Sequence, residues 1–185
     1  MINLHFLSTN VDKYKEMRVA LKRHGVLLRF RKRNLPELQS DSLNYIALEK
    51  CKIAFKIASK PVIVEDDGLF IQGLGGFPGP YSSYIFRTIG NTGILKLLSG
   101  SSNRSALFVS VLVYTDGKTT RRFVGKVVGT ISVKTTGTGW GYDPIFIPSG
   151  QNKTFGKLGE EKTLISHRAH AVRSFAIWYN RYKSR

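Results

Sequence analysis

The chain has 185 residues, 42% of them hydrophobic, enough to bury the core of one domain spanning 1–185, and 29 Lys and Arg against 12 Asp and Glu give a formal net charge of +17. No apolar run reaches the roughly 20 residues that cross a bilayer, the opening residues lack the basic-then-apolar layout of a signal peptide, and a single cysteine, Cys51, rules out an internal disulfide. These features exclude a membrane span and a disulfide scaffold, and they predict a soluble protein of the cytoplasm.

In chain order, Ile2, Leu4 and Phe6 alternate with polar residues and predict a strand that stops at Ser8-Thr9-Asn10, a cluster suited to capping a helix. Val11, Tyr14, Met17, Ala20 and Leu21 carry that helix to Gly25, and a second strand follows over Val26 to Phe30. Arg29, Arg31, Lys32 and Arg33 form a basic cluster with little aromatic interleaving, so a solvated face is the default reading and a nucleic-acid groove the alternative. After a polar loop from Arg33 to Asp41, apolar residues recur every three or four positions from Ser42 to Lys60, predicting an amphipathic helix that contains Cys51 as a small buried side chain. Val62-Ile63-Val64 predicts a short buried strand that delivers Glu65-Asp66-Asp67-Gly68 at its carboxyl end. A loop of defined path runs from Gly73 to Pro80, and Asn91 is expected to cap a helix through Leu98. A hairpin over 107–114 and 121–134 turning at Asp116-Gly117, a glycine-rich stretch to Phe146, and a helix from Ser166 to about Tyr182 complete the chain. Helices alternating with buried strands early and a hairpin later predict a mixed α/β fold.

Two constellations carry chemistry. Three consecutive acids repel one another unless a cation lies nearby, and hard carboxylate oxygens suit Mg²⁺, although a hydrated turn or a salt-bridged loop explains them equally well. Ser8-Thr9-Asn10 ahead of a helix, with Lys13 one turn in, offers hydroxyls, an amide and helix-terminal NH groups to a phosphate. It lacks the glycines of a Walker A loop, and an ordinary capped helix is the alternative.

Ser8-Thr9-Asn10-Val11-Asp12-Lys13-Tyr14-Lys15-Glu16 is similar to the T-G-N-x-x-K-x-x-E opening of the inosine triphosphatase family, the nonstandard purine nucleoside triphosphate pyrophosphatases. Val64 to Leu69 followed by Leu74 to Ser82 resembles that family's acidic strand end and its L-G-G-x-P-G-x-Y-S loop. Gly139 to Phe146 resembles G-F-G-Y-D-P-x-F, and Glu161 to Arg168 resembles E-K-N-x-x-S-H-R. The four matches fall in order between residues 8 and 168.

The resemblance implies a long central mixed sheet with flanking helices, two lobes around a nucleotide cleft, and a homodimer. It places Ser8, Thr9, Asn10, Lys13, Lys50 and Asp67 with the substrate, with Asn10, Lys13 and Lys50 at the triphosphate. Glu37 and Asp66 would hold Mg²⁺, with Asp66 directing the attacking water, while Trp140, Gly141, Tyr142, Asp143, Lys162, His167 and Arg168 would surround the nucleoside. Thr9 stands where the family has glycine, Asp67 where Ser or Thr is common, and Thr163 where Asn is usual. The implied reaction is Mg²⁺-dependent hydrolysis of ITP, dITP or XTP to monophosphate and pyrophosphate. A general nucleotide phosphatase and a noncatalytic basic nucleic-acid-binding protein are the alternatives, and the latter leaves the acidic triplet unexplained.

Overall fold

The computed structural model describes residues 4–36 and 38–184. Seven strands, β1 (Leu4–Ser8), β2 (Leu28–Lys32), β3 (Val62–Ile71), β4 (Pro78–Gly79), β5 (Ser105–Thr115), β6 (Thr120–Ile131) and β7 (Phe146–Pro148), form one sheet in the order β2-β1-β3-β5-β6-β7, with β4 paired to β3. β1 runs parallel to both β2 and β3, whereas β4 and β7 pair antiparallel to their neighbours. The helices are α1 (Val11–Lys22), α2 (Leu43–Ala58), α3 (Ser82–Thr88), α4 (Gly90–Leu97), the short α5 (Phe155–Leu158) and α6 (Lys162–Ile165), and α7 (His167–Lys183). This is the expected mixed α/β fold with a mixed sheet and flanking helices.

The chain divides into two compact units, the first formed by residues 1–66, 110–125 and 167–185 and the second by 67–109 and 126–166. In the first, Leu4 and Phe6 of β1 and Ile63 of β3 are buried with Met17 and Leu21 of α1 and with Ala171, Val172, Phe175 and Ala176 of α7. Each large apolar side chain sealed in this way contributes about 1.5–3 kcal/mol. β1 departs from the alternation expected of it: His5 is as buried as its apolar neighbours, so both faces of the strand are covered. In the second unit, Leu69, Ile71, Phe108, Ile131, Phe146 and Phe155 make the core, with the Phe108 and Phe146 rings 5.0 Å apart in a T-shaped pair.

β6 meets the start of α7 at Gly125, where an added Cβ would fall 1.9 Å from the His167 carbonyl oxygen and 2.5 Å from the Ala171 nitrogen. Only a residue without a side chain allows that approach. Gly125→Ala is therefore expected to cost about 1–3 kcal/mol through overpacking, read as a lowered denaturant midpoint. An unchanged midpoint would mean that α7 moves off the strand freely.

Two expectations are corrected and one helix is added. β3 does not end before the acids: it runs for ten residues, because Leu69 and Ile71 resume the buried apolar pattern and Gly68 holds no positive φ that would turn the chain. Asn91 does not cap a helix; it lies within α4, and its Nδ2 donates to the Gly141 carbonyl at 3.1 Å. α3 was not foreseen, since its large apolar residues Tyr84 and Phe86 stay exposed and leave no buried stripe in the sequence.

Candidate active site

The first unit presents the opening turn and the start of the acidic triplet. Asn10 caps α1, its Oδ1 accepting from the Asp12 and Lys13 amides at 3.0 Å each, and Ser8 Oγ accepts from the Asn10 amide at 3.0 Å. The side chains of this turn thus satisfy helix-terminal NH groups that the sequence left open to phosphate, and Thr9 stands exposed between them. One turn into the helix, Lys13 places its ammonium 2.9 Å from Glu65 Oε2.

Glu65 lies at the centre of a buried ion cluster. Its side chain is fully enclosed; Oε1 accepts from Ser110 Oγ at 2.7 Å and from the Arg168 guanidinium at 3.2 Å, and Arg168 also donates to Glu16. Two cations beside one carboxylate offset part of the hydration energy lost when these groups left water. Asp66, one residue on, projects from the opposite face of β3 and pairs with Lys50 of α2 at 2.8 Å, with side chains still 12% and 15% exposed. Cations from three different helices thus answer the first two carboxylates of the triplet.

The second unit gathers the Gly-Trp-Gly-Tyr-Asp segment. Asp143 accepts from Lys162 Nζ at 2.6 Å with both groups buried, and the same ammonium lies 5.3 Å above the half-buried Trp140 ring. Gly141 holds φ +61, a turn that glycine accommodates without strain. Tyr142 faces the core: its hydroxyl donates to the Ser82 carbonyl at 2.8 Å and its ring meets Phe86 edge-on, so burial and the nearby Asp67 carboxylate raise the phenol well above its ordinary value. Asp67 is half-buried, and His167 opens α7 with only 2% exposure.

Of the residues foreseen, Lys13 stands with Glu65 and Arg168, Lys50 with Asp66, and Lys162 with Asp143 and Trp140. Glu37 lies outside the described residues. Glu16 and Ser110 were missed as contributors. Glu16 lies three residues after Lys13, hence on its face of α1, and Ser110 is a lone hydroxyl in the apolar run Phe108 to Val113; both signals were present in the sequence. Cys51 is fully buried, and burial pushes its thiol up to about 12, which removes it as a nucleophile.

The Ham1 family profile matches residues 4–178. A dITP/XTP pyrophosphatase of Methanopyrus kandleri is 50% identical over 177 residues, covering 94% of each chain, and one of Korarchaeum cryptofilum is 44% identical over 179 residues, covering 97% of each. Among solved structures, a HAM1 protein from Coxiella burnetii superposes with a TM-score of 0.84 at 26% identity, over 98% of this chain and all of that one. The Ham1 protein of Staphylococcus aureus superposes with a TM-score of 0.79 at 27% identity, over 95% of this chain and 98% of that one. With a profile match along nearly its whole length and relatives this similar, the chain belongs to the Ham1 family.

Proposed function

We propose that this protein hydrolyses nonstandard purine nucleoside triphosphates, ITP, dITP and XTP, to the monophosphate and pyrophosphate, cleansing the cytoplasmic nucleotide pool. The observation that carries this reading is the partly exposed Asp66 carboxylate with Lys50 at 2.8 Å, in a chain whose relatives are named for this reaction. Among the described residues no helix is long and apolar enough to cross a membrane.

Mg²⁺ fits this site. It takes one or two carboxylates and fills its shell with water and phosphate oxygens, and Asp66 offers such an oxygen while remaining reachable. Among the described residues no three His, Cys, Asp or Glu side chains gather into a metal cage, so the ligand supply rests on Asp66, Glu37, water and substrate. Bound there, the ion supplies charge to the triphosphate and polarises its oxygens. Lys13, Lys50, Ser8, Thr9 and Asn10 hold phosphate oxygens, and Asp66 orients the water that attacks the α-phosphorus. Trp140 offers a face to the purine, Asp67, Gly141, Asp143, Lys162 and His167 border the nucleoside, and Tyr142 supports that segment from the core. A 6-oxopurine presents an acceptor where adenine presents a donor, so a fixed donor such as Arg168 favours the former. A homodimer belongs to this reading, supported by the exposed Phe77, Tyr81 and Tyr84 of the second unit.

Product analysis with ITP, XTP, GTP and ATP tests the proposal. The expected result is Mg²⁺-dependent release of pyrophosphate and monophosphate in equal amounts, fastest from ITP or XTP. Orthophosphate as the first product would make the protein a general phosphatase instead.

A further inference from the structure

The net charge of +17 exceeds what the proposed reaction uses, and part of it gathers at one end of the first unit. α1 finishes on Lys22 and Arg23, α2 on Lys56 with Lys60 just beyond, and α7 on Arg181 and Lys183, all exposed. Three contacts bring these ends together. Asn180 Nδ2 of α7 donates to the His24 carbonyl beyond α1 at 3.0 Å, and the Tyr182 hydroxyl donates to Asp116 in the β5–β6 turn at 2.7 Å. The Phe55 ring of α2 packs against Gly117 of the same turn so closely that a Cβ there would meet it at 2.4 Å. The turn adds Lys118, and Asp116, already bonded to Tyr182, is the one acid in these segments.

A bland account is that cations answer helix dipoles, since all three helices end here. Three carboxyl termini supply roughly 1.5 negative charges, too few for this many cations. His5 reports the same imbalance from inside. It pairs across to Arg29, is 4% exposed, and neither ring nitrogen has a hydrogen-bond partner among the described residues. Burial, Arg31, Lys60 and Arg29 together hold its imidazole below the ordinary range, as expected beside an excess of cations.

We propose that this basic pole binds the sugar-phosphate backbone of nucleic acid without reading sequence. The cations come from helix ends and a turn, and they surround a rigid end of the unit instead of lining one face of an amphipathic helix that could lie on a bilayer. Lys13 and Lys22 are nine residues apart on α1, so about 14 Å separates the pole from the phosphate-binding turn. Binding there leaves the turn open, and the protein could process nucleotides while held on a nucleic acid.

The test measures fluorescence anisotropy of short duplex DNA and of duplex RNA across a salt series, for the full chain and two quadruple variants. Lys22→Gln, Lys60→Gln, Lys118→Gln and Arg181→Gln together should weaken binding at least tenfold and reduce the salt slope by roughly 3–4, about one per phosphate contact. The second variant, with Lys96, Lys134, Lys153 and Lys157 of the other unit changed to Gln, removes the same charge and should bind as the parent does. Pyrophosphate release from ITP should be unchanged in both, which keeps this test separate from that of the proposed reaction. Equal losses in the two variants would overturn the proposal, because charge would then act without location. So would binding to phosphatidylserine vesicles with none to either duplex.

Discussion

Asp66→Asn is expected to lower kcat by about two to four orders of magnitude while leaving the protein folded. The asparagine matches the aspartate in shape, and its carbonyl oxygen can still accept from Lys50, now 2.8 Å from the carboxylate. What disappears is the charge. In the proposed mechanism, water near the α-phosphorus would lose the group that orients it or takes its proton, and a bound Mg²⁺ would lose an anionic ligand. Lys50, 12% exposed, meanwhile exchanges an ion pair for a neutral hydrogen bond, which should appear as a small fall in thermal midpoint. A Mg²⁺ titration separates the two roles. If Asp66 serves chiefly as a metal ligand, activity of the variant recovers in part at high Mg²⁺; if it serves as the base, the deficit persists at saturation. Turnover near that of the parent would remove Asp66 from the mechanism.

Local signals in the sequence reached as far as local physics does. Asn10 was legible as a cap because a side-chain oxygen one residue before a helix has the first-turn amides within reach, and its bonds to Asp12 and Lys13 follow from that position. α2 was legible because its buried residues, among them Ile46, Ala47, Cys51 and Ala54, keep the helical period. The acidic triplet showed that something must neutralise it, but not what. Its cations, Lys13, Lys50 and Arg168, come from three helices spread along the chain, and alternation along β3 sends Glu65 and Asp66 to opposite faces. Composition makes a shared metal and several separate ion pairs look alike. The same limit applies to Tyr142, which sits in an aromatic-rich motif yet turns to the core because its hydroxyl finds the Ser82 carbonyl 60 residues away.

Arg168→Ala should be the most destabilising of the site substitutions, by about 3–5 kcal/mol. The guanidinium is 2% exposed and bonds Glu65 and Glu16, so its removal leaves a fully enclosed carboxylate with only Lys13 and Ser110 for partners. The thermal midpoint reads this cost. Arg168→Lys keeps the charge without the planar fork that serves two carboxylates at once, and should recover part of the stability. Catalysis carries a second readout, because Lys13 is held by the same Glu65: once that carboxylate shifts, the ammonium proposed for phosphate shifts with it. This part of the loss falls on every triphosphate alike. If Arg168 also donates to the 6-oxo group, kcat/KM for ITP drops by a further ten- to two-hundred-fold or so relative to ATP, the scale of one lost charge-assisted hydrogen bond. That narrowing of preference is the expected outcome. An equal fall for both nucleotides, measured on variant still folded at the assay temperature, would make Arg168 a positioning residue for Lys13 and leave base recognition to a backbone NH.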